Sequence, residues 1–171
     1  ILQPVTPAFT ITPGTVCKNS QFTMDASAST PLNAIDPFTW TVTTVTHTLP
    51  TPGFTTAIPD TGAHVISLVI TDKGGCKTPA VTNTVQVTGP AAKLAPGAGG
   101  CKNSLITLTD QSTPYRTDAI TSWSLDFGDG GNPETFPSLP LTHTYADTGA
   151  YDVVLIVTDA KGCTDTARIK Q

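Results

Sequence analysis

The sequence predicts an all-β protein made of two tandem β-sandwich domains. Three features support this fold class: short runs in which apolar and polar residues alternate, an abundance of Thr and Val, and an internal repeat. Thr and Val favour strands, whereas the 15 Pro and 14 Gly that interrupt the runs favour turns. A chain of 171 residues is long enough for two domains of this kind.

The internal repeat divides the chain into two copies, residues 1–89 and 90–171, with Gly89 and Pro90 at the boundary. Each copy has the length of a small domain. The recurring pairs are 17–20 (CKNS) with 101–104, Trp40 with Trp123, 60–63 (DTGA) with 147–150, 71–72 (TD) with 158–159, and 75–76 (GC) with 162–163.

Residues 123–130 (WSLDFGDG) are the most informative stretch of the second copy. Trp123, Leu125 and Phe127 alternate with smaller or polar residues, so they are expected on the buried face of one strand. Gly128 leads into Asp129-Gly130, a dipeptide that predicts a tight hairpin turn because both positions tolerate positive φ.

Each copy is expected to contain about seven short strands, the number typical of an immunoglobulin-like β-sandwich. The strongest strand follows the DTGA segment, where every second residue is apolar. The predicted strands are 8–11, 21–25, one through Trp40 and Val42, 64–71 and 81–87 in the first copy, and 91–94, one through Ile106 and Leu108, the Trp123 strand, 142–145 and one through Tyr151, Val153, Leu155 and Val157 in the second.

The four cysteines have nearly equal spacings in the two copies, which suggests one disulfide per copy, Cys17–Cys76 and Cys101–Cys163. Closing loops of this length would stabilise each domain by roughly 4 kcal/mol. Persistent disulfides indicate an exported, extracellular protein. The absence of a C-x-x-C motif and of a Cys/His cluster argues against a zinc or thioredoxin-like redox site.

Composition excludes several function classes. The net charge of -4, the pI near 5.1 and the lack of a basic stripe argue against nucleic acid as a partner. The sequence contains no apolar run of the ~20 residues that a membrane span needs. It starts without Met and stops while a strand pattern continues, so we expect it to be an excerpt of a longer protein.

The second copy closely resembles the polycystic kidney disease (PKD) repeat, and its cysteine pattern is similar to PKD repeats of large surface adhesins of gliding bacteria. The first copy keeps Trp40, the DTG turn and the cysteine pair, but it lacks the FGDG turn, and His64 stands where the second copy has Tyr151. The matching segments are 123–130, 143–145 (HTY), 147–151 (DTGAY) and 153–159.

The resemblance implies a non-catalytic extracellular module. In the family such modules act as spacers and adhesive elements of surface proteins, or as accessory domains of secreted enzymes. The leading prediction is therefore a spacer or stalk segment of a bacterial adhesin, with neighbouring repeats as partners. The alternative is an accessory module of a secreted hydrolase that binds polysaccharide or protein.

Asp126 and Asp129 are candidate calcium ligands, with Asp118 and Glu134 nearby in the sequence. Carboxylate oxygens are the ligands that calcium prefers, but it takes six to eight of them. The alternative, which we favour because the sequence spells out no complete ligand set, is that Asp129 shapes its turn and Asp126 faces solvent. No other cofactor is expected.

The DTGAY segment has a structural interpretation. Asp147 is expected to cap the turn with its side chain, Gly149 to supply an unusual φ, and Tyr151 to begin the inward face, as in the tyrosine corner of sandwich folds. The three histidines, His47, His64 and His143, lie apart in the sequence without a nucleophile elbow, which argues against a hydrolytic triad.

The outward face of the strongest strands is unusually apolar. Val65 and Val69 in the first copy, and Val154 and Ile156 in the second, alternate with the inward residues. We expect a loop or sheet edge to cover this face, and the alternative is a patch that binds a partner.

Overall fold

The structure is a computed structural model that describes residues 4–95, 97 and 99–170. These residues form strands and turns, with one short 3-10 turn at Leu32–Ala34, so the predicted all-β class is confirmed. The chain folds into two compact units, the first ending at Thr88 and the second beginning at Gly89. The described part of the chain contains no helix that is long and apolar enough to cross a membrane.

Unit 1 is a sandwich of two sheets. The smaller sheet has the strand order β1-β3-β6, and the larger has the order β2-β8-β7-β4-β5. All pairings are antiparallel except that of β2 with β8, which is parallel. The strands are β1 (Thr10–Thr12), β2 (Thr15–Cys17), β3 (Gln21–Asp25), β4 (Ile35–Val42), β5 (Val45–Leu49), β6 (Gly53–Ala57), β7 (Gly62–Asp72) and β8 (Val81–Thr88).

The core of unit 1 follows the period-two pattern of its strands. Ile66, Leu68 and Ile70 alternate along β7 and are fully buried, as expected for one face of a half-buried strand. Trp40 of β4 is also fully buried and meets Phe9 edge-to-face, with ring centroids 5.1 Å apart. The two inner faces thus enclose one contiguous apolar core.

Unit 2 is a second sandwich, with sheets ordered β13-β10-β9 and β12-β11-β14-β15. Val153, Leu155 and Val157 alternate along β14 and are fully buried, as the sequence pattern predicts. The strands are β9 (Leu94–Ala95), β10 (Leu105–Asp110), β11 (Ile120–Asp126), β12 (Glu134–Phe136), β13 (Leu141–Thr144), β14 (Asp152–Asp159) and β15 (Thr164–Lys170).

Several boundaries differ from the sequence prediction. The strand predicted through Trp40 and Val42 begins earlier, at Ile35, because a bulge between Ile35 and Phe38 lets Pro37 lie within a strand. β6 was not predicted, since its run of Thr residues has only Phe54 as an apolar marker. The strand predicted at 91–94 is limited to Leu94–Ala95, preceded by an isolated bridge from Ala91 to Thr113.

The predicted tight hairpin at Asp129-Gly130 is wrong. β11 ends at Asp126 and β12 begins at Glu134, so a longer loop, 127–133, joins them. Only the glycines of that loop have positive φ, +73° at Gly128 and +86° at Gly130, whereas a two-residue type I′ turn would need positive φ at Asp129 as well. Asp129 instead accepts a hydrogen bond from the Gly131 N–H at 3.1 Å, which shapes a wider turn.

The predicted pairs Cys17–Cys76 and Cys101–Cys163 are also wrong. Cys17 and Cys163 are disulfide-bonded, whereas Cys76 and Cys101 are free and exposed. The strand geometry of each unit explains why the predicted pairs do not form.

In unit 1, Cys17 pairs with Thr88 next to the Gly62 end of β7, while Cys76 follows the Asp72 end. The 11 residues of β7 separate these ends by about 30 Å at ~3.3 Å per residue, far beyond the ~7 Å limit between bridged Cα atoms. In unit 2, Cys163 lies beyond the Asp159 end of β14, while Cys101 lies beside Tyr151 at the other end. Equal spacing along the sequence therefore reflects the repeat and not proximity.

Candidate functional site

His143 lies between two carboxylates in unit 2. Its Nε2 is 2.8 Å from Asp129 Oδ2, and its Nδ1 is 3.1 Å from Glu134 Oε1. Since carboxylates accept hydrogen bonds, a ring nitrogen that carries a proton is the donor in each of these contacts. The ring is only 13% exposed, so the two ion pairs are partly shielded from water.

The same histidine connects the two sheets of the sandwich. It belongs to β13, whereas Asp129 and Glu134 lie in the loop and strand that follow β11 in the other sheet. Its ring stacks on Phe127, with centroids 3.8 Å apart and planes 7° from parallel. The FGDG loop and the HTY segment are therefore joined by both polar and aromatic contacts.

The contact with His143 lowers the pKa of Asp129. The hydrogen bond from His143 is the largest cause that lowers the pKa of the Asp129 carboxyl, and the backbone N–H of Gly131 adds to it. Both donors favour the charged form of the carboxylate. Asp129 is therefore ionised throughout the neutral range and serves as a structural ion-pair partner.

Tyr145 also belongs to this cluster, because it contacts Phe127. Its hydroxyl donates to the backbone carbonyl of Phe127 at 3.1 Å, and its ring stacks on Tyr151 at 4.0 Å. Burial raises the pKa of Tyr145 to about 12, and the negative charge of Asp129 contributes in the same direction. The phenol is thus a permanent hydrogen-bond donor that fixes the FGDG loop to the core.

The calcium candidates are not gathered into one ligand set. Asp126 Oδ1 accepts from the Gly128 N–H at 2.9 Å, Asp118 pairs with Lys161 Nζ at 2.9 Å, and Asp129 faces His143. Over the described residues, no group of three or more His, Cys, Asp or Glu side chains could hold a metal ion. The geometry thus gives these carboxylates local structural partners.

The DTGAY turn has the form of a tyrosine corner, with two differences from the prediction. Tyr151 donates its hydroxyl to the carbonyl of Asp147 at 2.8 Å, four residues upstream. Asp147 does not cap the turn, because its largely exposed carboxylate contacts Lys102 Nζ at 3.5 Å. Gly149 has no positive φ, and a Cβ there would simply touch the Tyr151 ring at 3.5 Å.

Unit 1 makes the equivalent contact with a histidine. His64 Nε2 lies 2.8 Å from the carbonyl oxygen of Asp60, the counterpart of Asp147. His47 packs against Phe54, with ring centroids 4.5 Å apart. Each of the three histidines is thus engaged with an aromatic ring, a backbone carbonyl or carboxylates.

Two structural roles were missed at the sequence level. Trp123 is partly buried and its Nε1 donates to Asp110 Oδ2 at 2.7 Å, whereas the Nε1 of the fully buried Trp40 has no hydrogen-bond partner. Asp110 aligns with Ala26 in the first copy, so an alignment of the two copies shows that only the second has a carboxylate at this position.

The second missed role belongs to Asp72 and Asp159. Each accepts a hydrogen bond from the cysteine four residues later, at 2.8 Å for Cys76 and 2.9 Å for Cys163. The recurring TD-x-x-x-C spacing, which is the same in both copies, was the available signal.

The outward apolar face is open at two positions. Val65 is 56% exposed and Ile156 is 39% exposed, so the expected cover is absent there. Val69 and Val154 are partly buried. The exposed side chains stand as single residues on polar strands rather than as one broad surface, because their strand neighbours are mostly Ser, Thr and charged residues.

Comparison with known protein families gives a match over the second unit. The family model of the PKD domain matches residues 87–171. No curated protein matches the chain.

Several solved structures are similar to the chain at low sequence identity. The PKD1 domain of Epp from Vibrio anguillarum is 24% identical, over 49% of this chain and 92% of that chain, with a TM-score of 0.41. The fibronectin(III)-like modules of CbhA from Clostridium thermocellum are 16% identical, over 95% and 92%, with a TM-score of 0.39. SGBP-B from Bacteroides ovatus, in complex with a mixed-linkage heptasaccharide, is 16% identical over 91% and 42%, with a TM-score of 0.38.

The family match coincides with the segments that build the cluster. It includes the FGDG loop, the HTY segment that carries His143 and Tyr145, and the DTGAY corner. Unit 1 repeats the tryptophan strand, the corner and both cysteine positions. The chain is therefore built from PKD-type repeats, and residues 87–171 form a PKD domain.

Proposed function

We propose that this chain is a non-catalytic spacer segment of a larger exported bacterial surface protein, in which neighbouring repeats of the same kind are its direct partners. The observation that carries the proposal is that the polar and aromatic groups of the family motif are bound to one another. His143, Asp129 and Glu134 form one internal cluster, and Tyr151 is bound to its own turn. Such groups hold a loop in place rather than present it to a substrate.

The repeated construction of the two units supports the same role. Unit 1 reproduces the corner contact with His64 in place of Tyr151, and both units present cysteines in matched turns. A spacer needs modules that are closed and similar, because its contribution is length rather than a particular surface. The finer assignment, a stalk within an adhesin of a gliding bacterium, rests on the resemblance of the cysteine pattern.

A glycan array tests this proposal against an accessory binding module. The folded chain is applied in calcium and then in chelator, with unfolded chain as the control for nonspecific retention. The spacer proposal expects no saturable binding to any sugar class. Saturable binding would favour the accessory module, and loss of that binding in chelator and in the Asp126→Asn/Asp129→Asn variant would assign it to a calcium site.

The sequence that flanks this chain in its gene gives a second, independent test. Further PKD-type repeats on either side would support the spacer. A neighbouring catalytic domain would overturn it in favour of an accessory role.

A further inference from the structure

Each unit presents its two cysteines in two different turns. The first kind, here called the Asn turn, is the CKNS segment that contains Cys17 or Cys101. Its asparagine has left-handed φ, +61° at Asn19 and +59° at Asn103. In each case the backbone N–H of the following serine donates to the cysteine carbonyl, at 3.0 Å for Cys17 and 3.1 Å for Cys101.

The second kind, here called the Asp turn, contains Cys76 or Cys163. The aspartate at its start binds the cysteine through both its backbone and its side chain. The Asp72 N–H donates to the Cys76 carbonyl at 2.9 Å, and the Asp159 N–H donates to the Cys163 carbonyl at 2.9 Å. The carboxylates accept from the cysteine N–H groups at 2.8 and 2.9 Å.

One cysteine of each kind is disulfide-bonded, and one of each kind is free. Cys17 and Cys163 are bonded, while Cys101 and Cys76 are exposed thiols. The free cysteines are held by the same backbone hydrogen bonds as their bonded counterparts. Both kinds of turn thus support a disulfide, and the two free thiols occupy positions already shaped for one.

A partner within the same unit is excluded by distance. The two turns lie at opposite ends of β7 in unit 1 and of β14 in unit 2, separated by tens of ångströms at ~3.3 Å per residue. An Asn-turn cysteine and an Asp-turn cysteine of the same unit therefore lie too far apart to form a disulfide. The second cysteine of such a bond has to come from another repeat.

We propose that Cys76 and Cys101 are linkage sites between repeats. Each forms a disulfide with a cysteine in the other kind of turn, so that between two copies of this chain Cys76 of one copy bonds Cys101 of the other. The inference rests on the proposed function, since it takes neighbouring PKD-type repeats as the natural source of the second cysteine. Cys76 lies in an Asp turn and Cys101 in an Asn turn, so this bond joins one turn of each kind.

The surroundings of Cys101 leave room for an approaching turn. The residue borders a shallow cavity of about 220 Å³, together with Gly100, Lys102 and Tyr151. Gly100 has no room for a side chain, because a Cβ there would lie 2.6 Å from Ile106 Cγ2. Cys101 itself is exposed, so its thiol is open to a partner from outside the unit.

The chemistry is thiol–disulfide exchange with a disulfide oxidant, either oxidised glutathione or an exported protein disulfide. One cysteine loses its proton, and its thiolate attacks the oxidant to give a mixed disulfide and one released thiolate. The second cysteine thiolate then displaces the remaining half of the oxidant. Two thiols are oxidised to one cystine, and the oxidant is reduced to two thiols.

The test uses the whole chain and two matched variants, Cys76→Ser and Cys101→Ser, in a buffer of reduced and oxidised glutathione. The wild type is expected to form a ladder of disulfide-linked species that grows with protein concentration. Each variant alone is expected to remain largely monomeric. An equimolar mixture of the two variants is expected to form dimers in which peptide mapping finds Cys76 bonded to Cys101.

The composition of those dimers decides the outcome. Random oxidation of exposed thiols would give unlike pairs in only about half of the dimers, whereas the proposal expects nearly all of them to be unlike. Like pairs at the random proportion, a Cys76–Cys101 bond within one molecule, or persistent free thiols would each overturn it. The Cys76→Ser/Cys101→Ser double variant, checked for folding by tryptophan fluorescence, is the control that should remain monomeric.

The result is separable from that of the glycan array. Failure of cross-linking with a negative array would remove the linkage sites and leave the spacer in place. Selective cross-linking with a positive array would keep the linkage sites and replace the spacer by a binding module.

Discussion

Tyr151 and His64 make the same hydrogen bond in the two units. The Tyr151 hydroxyl donates to the Asp147 carbonyl at 2.8 Å, and His64 Nε2 lies at the same distance from the Asp60 carbonyl. In both cases a ring at the start of the long strand is bound to the preceding DTGA turn. The position therefore needs a planar ring with a donor at its tip, which both phenol and imidazole provide.

Replacing Tyr151 by Phe should lower the free energy of unfolding of unit 2 by about 1 kcal/mol, the usual net value of one hydrogen bond. Tyr151→His should cost less, because it can restore the contact seen in unit 1. Since each unit contains one of the two tryptophans, fluorotryptophan resonances followed during urea unfolding can report the units separately. A Tyr151→His variant that is no more stable than Tyr151→Phe would contradict this explanation.

Gly128 is predicted to tolerate no side chain. Its φ is +73°, and a Cβ would lie 2.6 Å from the backbone oxygen of Asp152. Gly128→Ala should destabilise unit 2 by about 3 kcal/mol or more, combining left-handed strain with overpacking against backbone.

Gly130 provides the matched control for that variant. It has a similar φ, +86°, but open space around the position of a Cβ. Gly130→Ala should therefore cost only the conformational part, about 1 kcal/mol. Equal losses in the two variants, measured by urea unfolding, would show that the contact with Asp152 has no energetic role.

Asp110 is predicted to stabilise unit 2 through the indole of Trp123. Removing its carboxylate in Asp110→Ala leaves the partly buried Nε1 without its acceptor at 2.7 Å, which should cost about 2 kcal/mol. A double-mutant cycle with Trp123→Phe isolates the contact, because the Phe ring has no N–H to satisfy. A coupling free energy near zero would show that Asp110 acts through Ser112 or the strand instead.

The ion pair between Asp129 and His143 predicts an acid-sensitive contribution to stability. The carboxyl pKa is lower in the folded state than the ordinary value of 3.8, so the unfolded chain binds the proton more readily. The stabilisation is therefore complete above pH 3.8 and is lost as the pH falls through the lower, folded pKa.

Unfolding free energies of the wild type and of Asp129→Asn, measured from pH 7 to pH 2, check this sign. Their difference should shrink as the pH falls below 3.8 and through the lower, folded pKa of Asp129. The same comparison in a His143→Gln background is the control, because the largest cause of the pKa shift is then missing. A difference that grows as the pH falls would contradict the prediction.

Much of the fold was predictable because burial leaves a period-two pattern in the sequence. The alternation in 64–71 and 151–157 predicted strands whose inward residues are fully buried in the structure, except Tyr151, which is partly buried. β6 carries little of this signal, because Phe54 is its only large apolar residue and small or polar residues (Gly, Thr, Thr and Ala) fill the other positions. Edge strands of this kind are defined by pairing with β3, which a single sequence does not display.

The candidate site was predictable in its members but not in its contacts. The motif pointed to Asp129, Gly128 and Tyr151, yet the partner of Asp129 is His143, fourteen residues away and on the other sheet. The cysteine pairing failed for a related reason. Spacing along the chain measures the length of a repeat, whereas a disulfide depends on which end of a strand each cysteine follows.

The parallel pairing of β2 with β8 has a mechanical consequence. Thr15 faces Gln86 and Cys17 faces Thr88, so the chain enters β2 and leaves β8 at opposite ends of the ladder. Tension between these two points runs along the strands and loads every hydrogen bond of the ladder at once, whereas a hairpin pulled from its open end would break them one by one. The β2–β8 ladder is therefore loaded in shear when the chain is stretched, and it does not open one hydrogen bond at a time.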